Sequence, residues 1–439
     1  MSNFRNLKNG KQKGAVSEKF WLVLDNAAKI FPALLNEEFT AVFRLSAVLK
    51  HPVRIHALFK AVALIEKRFP YYKVQLKKGF FWYYLEHIPL KFNVEVDNKR
   101  PCRSFSRDSL MIRILVSGNK INLEFSHILT DGSGAFEFLK SILLLYSKET
   151  GHEIPSSFEY LKPADPISEE EYEDAYKRYF KEKIPPMVKK SKAFHLPFPL
   201  KSKPRFEIMN ALVSVKDIKS KAKEKNVSIN DYLVSVYLFV LQEINKELKD
   251  TKKTKSKKCI RIQVPADMRK IFPSKTMRNF SLFVMPEIDL RLGEYSFDEI
   301  VKFVYHQIRL ETDEKLINKT ISRNVGGEKK IYVKSMPLFL KSLTLRLKYY
   351  SLGANQYSGV LTNLGMVKLP PETENLIDHF VFTPPPPNKL LKVSCGIIGF
   401  DDKLLISFGN ISKSKMLEDK FFQFLKDQGI RLLFMNEKK

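Results

Sequence analysis

The chain has 439 residues, with 75 Lys and Arg against 48 Asp and Glu, so its formal net charge is +27. Hydrophobic residues at 44% and aromatics at 12% exclude a disordered chain, while 17 Gly and 3 Cys exclude a collagen-like or disulfide-stapled one. The length predicts two domains, or three, and the basic excess leaves nucleic acid, a membrane surface or a polyanionic small molecule open as partner.

Residues 1–17 read as a flexible basic tail with no continuous apolar segment behind it to make a secretory leader. Phe39 to Val48 alternates as a strand. From Val53 to Phe69 apolar residues recur at helical spacing, and Pro70 stops that helix. Residues 72–97 predict two or three strands dense in aromatics. Leu110–Val116 and Ile121–Phe125 flank Ser117-Gly118-Asn119-Lys120, which is a hairpin signal. Asp131-Gly132-Ser133-Gly134 then breaks the strand and opens a helix. Residues 151–204 are rich in Pro and charge. They divide the chain into an N-terminal half, 18–165, a linker or crossover, 166–204, and a C-terminal half, 205–439.

The second half restarts an α/β pattern. Ser228-x-x-Asp231 caps a nearly all-apolar, buried helix to about Leu248. Strands are predicted at Ile260–Val264 and Ser281–Met285. A helix opens at Ser296-x-x-Glu299, and residues 312–350 read as basic and irregular. Late strands follow near 359–362, 392–399 and 403–409, then a helix near 417–426. No apolar stretch approaches the about 20 residues a membrane span needs. Cys102, Cys259 and Cys395 are far apart and form no CxxC, so inert thiols are expected. The reading is of a soluble, cytoplasmic monomer with no metal site and no nucleic-acid-binding signature.

The sharpest local feature is His127-Ile-Leu-Thr-Asp131-Gly132, where a strand runs into a Gly-rich turn. Leu123, Phe125 and His127 share one face of the strand. Gly132 is expected to supply a backbone angle that other residues resist. Asp131, across the turn, can hold the loop through an ion pair and leave the His ring free. A packed, structural His is the competing reading.

His-x-x-x-Asp-Gly after a hairpin resembles the active-site signature of the coenzyme A-dependent acyltransferase superfamily, with chloramphenicol acetyltransferase, peptide-synthetase condensation domains and alcohol acetyltransferases. Lys67-Arg68-Phe69-Pro70, Val264-Pro265-Ala266-Asp267-Met268-Arg269, Arg278-Asn279-Phe280 and Tyr357 to Gly365 resemble further segments of that superfamily, in its order. Ser126 stands where many condensation domains have a second histidine, and there is no DFGWG motif. The likeness is therefore strongest to the alcohol acetyltransferase branch.

The resemblance implies two α/β halves with mixed sheets and an active-site tunnel between them. His127 is then the general base, with no covalent acyl-enzyme. Asp131 turns away from substrate to pair with Arg269, and Thr362 and Asn363, with Asn279 next, are candidates for holding the oxyanion. Acyl-CoA, acetyl-CoA above all, is the co-substrate, no cofactor is permanently bound, and the acceptor is an alcohol or an amine. N-acylation or condensation from a carrier-bound thioester is the alternative activity. A non-catalytic membrane- or nucleic-acid-binding protein is the alternative class. Lys252, Lys253, Lys255, Lys257 and Lys258 read as a solvated loop or as a clamp for CoA phosphates. Residues 315–350 carry nine basic residues against Glu328. They read as a helix covering the core, a lid over an apolar acceptor site, or a peripheral membrane contact.

Overall fold

A computed structural model of the chain describes residues 20–182, 184–185, 190–250 and 259–435. The five lysines between 252 and 258 therefore lie outside the described residues.

The N-terminal half is built on a five-stranded sheet in the order Ile377–Thr383, Val42–Leu49, Lys120–Ser126, Ile112–Ser117, Val94–Val96. Every residue of Val42–Leu49 is buried, as expected of a strand covered on both faces. The helix Ile55–Arg68 packs on the helix Gly132–Glu149 and buries Ala57, Leu58, Ala61, Val62 and Ile65 at helical spacing. The predicted hairpin forms with a two-residue turn: Ser117 pairs with Lys120, and Gly118 takes a φ of 58°.

The C-terminal half carries an eight-stranded mixed sheet. Its main path runs Ser281–Val284, Cys259–Asp267, Gly359–Met366, Val393–Phe400, Lys403–Asn410, Glu207–Ser214, Leu432–Met435. Glu287–Asp289 also pairs with Cys259–Asp267. Gly359–Met366 is parallel to both its neighbours. The helix Ile229–Asp250 lies in the core of this half, Leu233, Val236, Tyr237 and Leu241 being fully buried. Among the described residues no single helix is long and apolar enough to cross a membrane.

Two findings depart from the sequence reading. Ile377–Thr383 falls within 205–439, yet it pairs antiparallel with Val42–Leu49 and completes the N-terminal sheet. The C-terminal half is thus not one contiguous stretch. Residues 312–350 are helical rather than irregular, forming Glu314–Lys329, Ile331–Ser335 and Leu338–Lys348. Asp313 caps the first by accepting from the Lys315 and Leu316 amides, and Ile317, Ile321 and Val325 bury one of its faces. Helix Leu338–Lys348 reaches the N-terminal half. The Leu338 amide donates to the Phe80 carbonyl at 2.9 Å, and the Arg346 guanidinium donates to the Ala33 carbonyl at 2.9 and 3.1 Å.

The linker is anchored through its acidic cluster. Glu171 is buried and accepts two bonds from Arg68, at 2.7 and 2.8 Å, and one from the Tyr71 hydroxyl at 2.8 Å. Arg68 thereby ties the crossover to the helix Ile55–Arg68. Cys102, Cys259 and Cys395 are free, buried thiols.

Candidate active site

His127 follows the last residue of the strand Lys120–Ser126, and its amide donates to the Ala41 carbonyl at 2.8 Å. Its ring stacks on Phe31 at 5.4 Å and tilts against Phe43 at 4.6 Å. One side stays open to a cavity of about 1470 Å³ between the halves, which both halves line. Burial drives the ring's pKa down to about 4, while Asp131, the Thr130 backbone and the Asn279 side chain pull it upward. The imidazole is neutral at pH 7, the state a general base requires.

Asp131 does not face that ring. Oδ1 accepts from the Gly134 amide at 3.1 Å and so caps the helix Gly132–Glu149, while Oδ2 accepts from the Phe280 amide at 2.7 Å. Arg269 closes on both oxygens, at 3.0 and 3.2 Å. The same guanidinium donates to Asp267 at 2.9 Å, to the Thr276 carbonyl at 2.9 Å and to the Arg278 carbonyl at 2.5 Å. The expected pair forms, and it is a buried seam between the halves. Asp267, inside the Val264–Arg269 segment, extends it by accepting from the Ser133 hydroxyl at 2.8 Å.

Asn279 is placed differently from the expectation. Its amide donates to the His127 carbonyl at 3.0 Å and to Asp25 Oδ2 at 3.0 Å, which uses both N–H groups. It holds the histidine backbone and has no donor left for an oxyanion. Asp25 was invisible to sequence reasoning. It is fully buried, and burial raises its pKa to about 6 against the pull of the nearby Arg278.

Gly132 also works otherwise than expected. Its φ is not in the left-handed region; instead, a Cβ there would meet Leu364 Cδ2 at 2.6 Å. Gly134 is the tighter position, since a Cβ would lie 2.3 Å from the Met277 carbonyl oxygen and 2.4 Å from Thr130 Oγ1. The Thr130 and Tyr72 hydroxyls both donate to that carbonyl, at 2.6 and 2.7 Å.

Thr362 and Asn363 line the cavity. The Thr362 hydroxyl makes no hydrogen bond among the described residues. Asn363 accepts from the Gly365 amide at 2.9 Å and donates to Asn230 at 3.4 Å, leaving one amide N–H unused. The cavity wall also presents Thr320, Arg323, Asn324 and Glu328, one stripe of the helix Glu314–Lys329. Arg323 is half-buried there with no acidic partner among the described residues, and burial lowers its pKa. Lys341 is buried with its ammonium 3.2 Å from the centre of the Trp82 ring and 2.9 Å from the Phe81 carbonyl. Among the described residues no three His, Cys, Asp or Glu side chains are grouped to hold a metal ion.

The fold as a whole has counterparts among solved structures. F. graminearum TRI101 bound to coenzyme A and deoxynivalenol superposes with a TM-score of 0.61 at 11% identity, over 93% of this chain and 97% of that one. The TRI3 trichothecene 15-O-acetyltransferase of Fusarium sporotrichioides gives 0.59 at 12% identity, over 95% and 96%. The epimerization domain from the third module of tyrocidine synthetase B gives 0.56 at 12% identity, over 96% and 98%. The chain shares the fold of these proteins, an O-acetyltransferase and a synthetase epimerization domain among them. The chain matches no protein-family model and no curated protein sequence.

Proposed function

We propose that the protein is an acyl-CoA-dependent O-acyltransferase that transfers an acyl group, acetyl in the simplest case, to the hydroxyl of an apolar alcohol. The observation that carries this reading is His127: a neutral imidazole with one side open to a cavity lined by both halves. Two structures sharing the fold are complexes with coenzyme A and a second small molecule, TRI101 with deoxynivalenol and TRI101 with T-2.

The reaction balances on His127 alone. The acceptor oxygen attacks the thioester carbonyl while the imidazole takes the hydroxyl proton. The tetrahedral oxyanion then collapses, the C–S bond breaks, and the imidazolium returns the proton to the departing CoA thiolate. Thr362 and Asn363 hold unused donors on the cavity wall for the oxyanion, and losing one such donor costs about 10²–10³ in rate. Arg323, without an acidic partner among the described residues, is a cation on the same wall suited to an anionic group of either substrate. The aromatic rings of Phe31, Phe43, Trp82 and Tyr349 suit an apolar acceptor.

The test is thiol release from acetyl-CoA with a panel of alcohols and amines, wild type against His127→Ala. Wild-type release that depends on an alcohol, and falls about 10²–10⁴-fold in the variant, supports the reading. Release with amines alone, or only from a carrier-bound thioester, replaces it with the condensation-type activity. Equal release in both proteins removes His127 from the role of base.

A further inference from the structure

The outer surface of the helices covering the cavity is unlike an ordinary solvent face. Along Leu338–Lys348, Lys341, Leu345 and Lys348 fall at i, i+4 and i+7 and line the cavity. The opposite stripe, Phe339, Leu343 and Leu347 at i, i+4 and i+8, is 67%, 56% and 63% exposed. Ile331 and Tyr332 on the preceding helix continue the apolar surface at 83% and 63%. Phe80 adds to it from the N-terminal half, next to the helix whose Leu338 amide its carbonyl accepts. A surface helix that is apolar outward exposes a contiguous patch, and such patches mark interaction sites.

Charge decides what covers the patch. Lys334 is exposed with no acidic partner among the described residues, and the exposed Lys330 leans on the Tyr332 ring at 5.8 Å. Glu328, the one acid in 315–350, is already taken by Lys29 and Asn26. A second copy would bring the same basic rim and the same +27 against this one, so self-association opposes like charges. An anionic lipid surface answers both features, since its headgroups attract the lysines and its acyl region takes up the Phe and Leu side chains.

We propose that this face docks the protein on an anionic membrane, with the outer stripe of Leu338–Lys348 inserted at the interface. Because the same helix walls the cavity, an apolar alcohol dissolved in the bilayer reaches the site over that edge without crossing bulk water. This delivery rests on the acyltransferase reading; the docking does not.

Co-sedimentation tests it without any activity measurement. The probes are vesicles of phosphatidylcholine alone and vesicles of one part phosphatidylglycerol to two parts phosphatidylcholine. The proteins are wild type, Phe339→Asp with Leu343→Asp, and Lys330→Glu with Lys334→Glu. None of these four side chains lines the cavity, so thermal unfolding and thiol release with a water-soluble alcohol report that the variants are folded. The wild type should pellet with the anionic vesicles and not with the neutral ones. Each double variant should bind at least tenfold more weakly, and added salt should weaken the wild type. Wild type left in the supernatant with anionic vesicles overturns the proposal, as do folded variants that pellet like wild type. A wild-type dimer by light scattering that Phe339→Asp with Leu343→Asp dissolves also overturns it, in favour of a second copy as occupant.

Discussion

With its pKa held to about 4 by burial, His127 enters each cycle unprotonated at any pH above that value. Acid lowers the rate only by protonating the ring, so the acid limb of kcat/KM should fall near pH 4 to 5 rather than at the ordinary histidine value near 6.5. A pH–rate profile with acetyl-CoA measures this directly, and a limb at 6.5 would mean that the cavity solvates the ring like bulk water. Asp131 belongs to a different argument. Removing its carboxylate leaves Arg269 buried with Asp267 and two carbonyls as its remaining partners, and it leaves the Gly134 and Phe280 amides unpaired. Asp131→Ala should therefore cost about 3–5 kcal/mol of stability, the range for breaking a buried pair. Thermal or denaturant unfolding reads this loss. Asp131→Asn keeps one acceptor oxygen and should cost less. If both variants unfold like wild type, the seam carries no stability and Asp131 acts elsewhere.

The turn between the strand and the helix Gly132–Glu149 is tight enough that its two glycines are not equivalent. Gly132→Ala asks only that the end of the Leu364 side chain move aside. Gly134→Ala drives a methyl into the Met277 carbonyl, which the Thr130 and Tyr72 hydroxyls hold in place. The second should cost about 1–3 kcal/mol and displace the His127 loop, whereas the first should be milder in both stability and kcat/KM. Equal effects would place the constraint in the backbone angles instead. The sequence emphasised Gly132 because it sits inside the motif; the tighter contact comes from a carbonyl 143 positions along the chain, which no local pattern reveals. The same division holds across the molecule. The hairpin, the capped helices and the late strand pair were legible because turn residues, caps and alternation are local signals. Asp131 with Arg269 was legible because both lie in segments that resemble a known family. Asn279 was misjudged because its two acceptors lie 254 and 152 residues away. Ile377–Thr383 was missed because Asp378 and His379 break its apolar run and its partner is the far edge of the other half's sheet. Lys341 reads in sequence only as one of nine basic residues in 315–350, because its burial over Trp82 depends on a ring 259 positions earlier.

At the scale of the whole molecule the two halves are not separable modules. Ile377–Thr383 leaves the C-terminal half to close the N-terminal sheet, Arg269 meets Asp131, and Asn279 meets Asp25. Arg278 adds a bond to the Val23 carbonyl at 2.7 Å, and Arg346 adds its pair to Ala33. Opening the cavity by separating the halves would break these bonds together and strip an edge from a sheet whose Val42–Leu49 strand is wholly buried. Such coupling predicts one cooperative unfolding transition despite a length that ordinarily divides into independently melting domains. The two tryptophans make this easy to check, because Trp21 and Trp82 both lie in the N-terminal half. Their fluorescence reports that half alone, whereas far-ultraviolet circular dichroism reports both. In a denaturant titration the two signals should share one midpoint and one slope. Phe380→Asp, which puts a charge on a buried position of the crossing strand, should lower both midpoints by the same amount. A fluorescence transition that separates from the dichroism transition would show instead that the N-terminal sheet opens while the C-terminal half stays folded. The strand crossover would then be a tether between two domains rather than part of a single core.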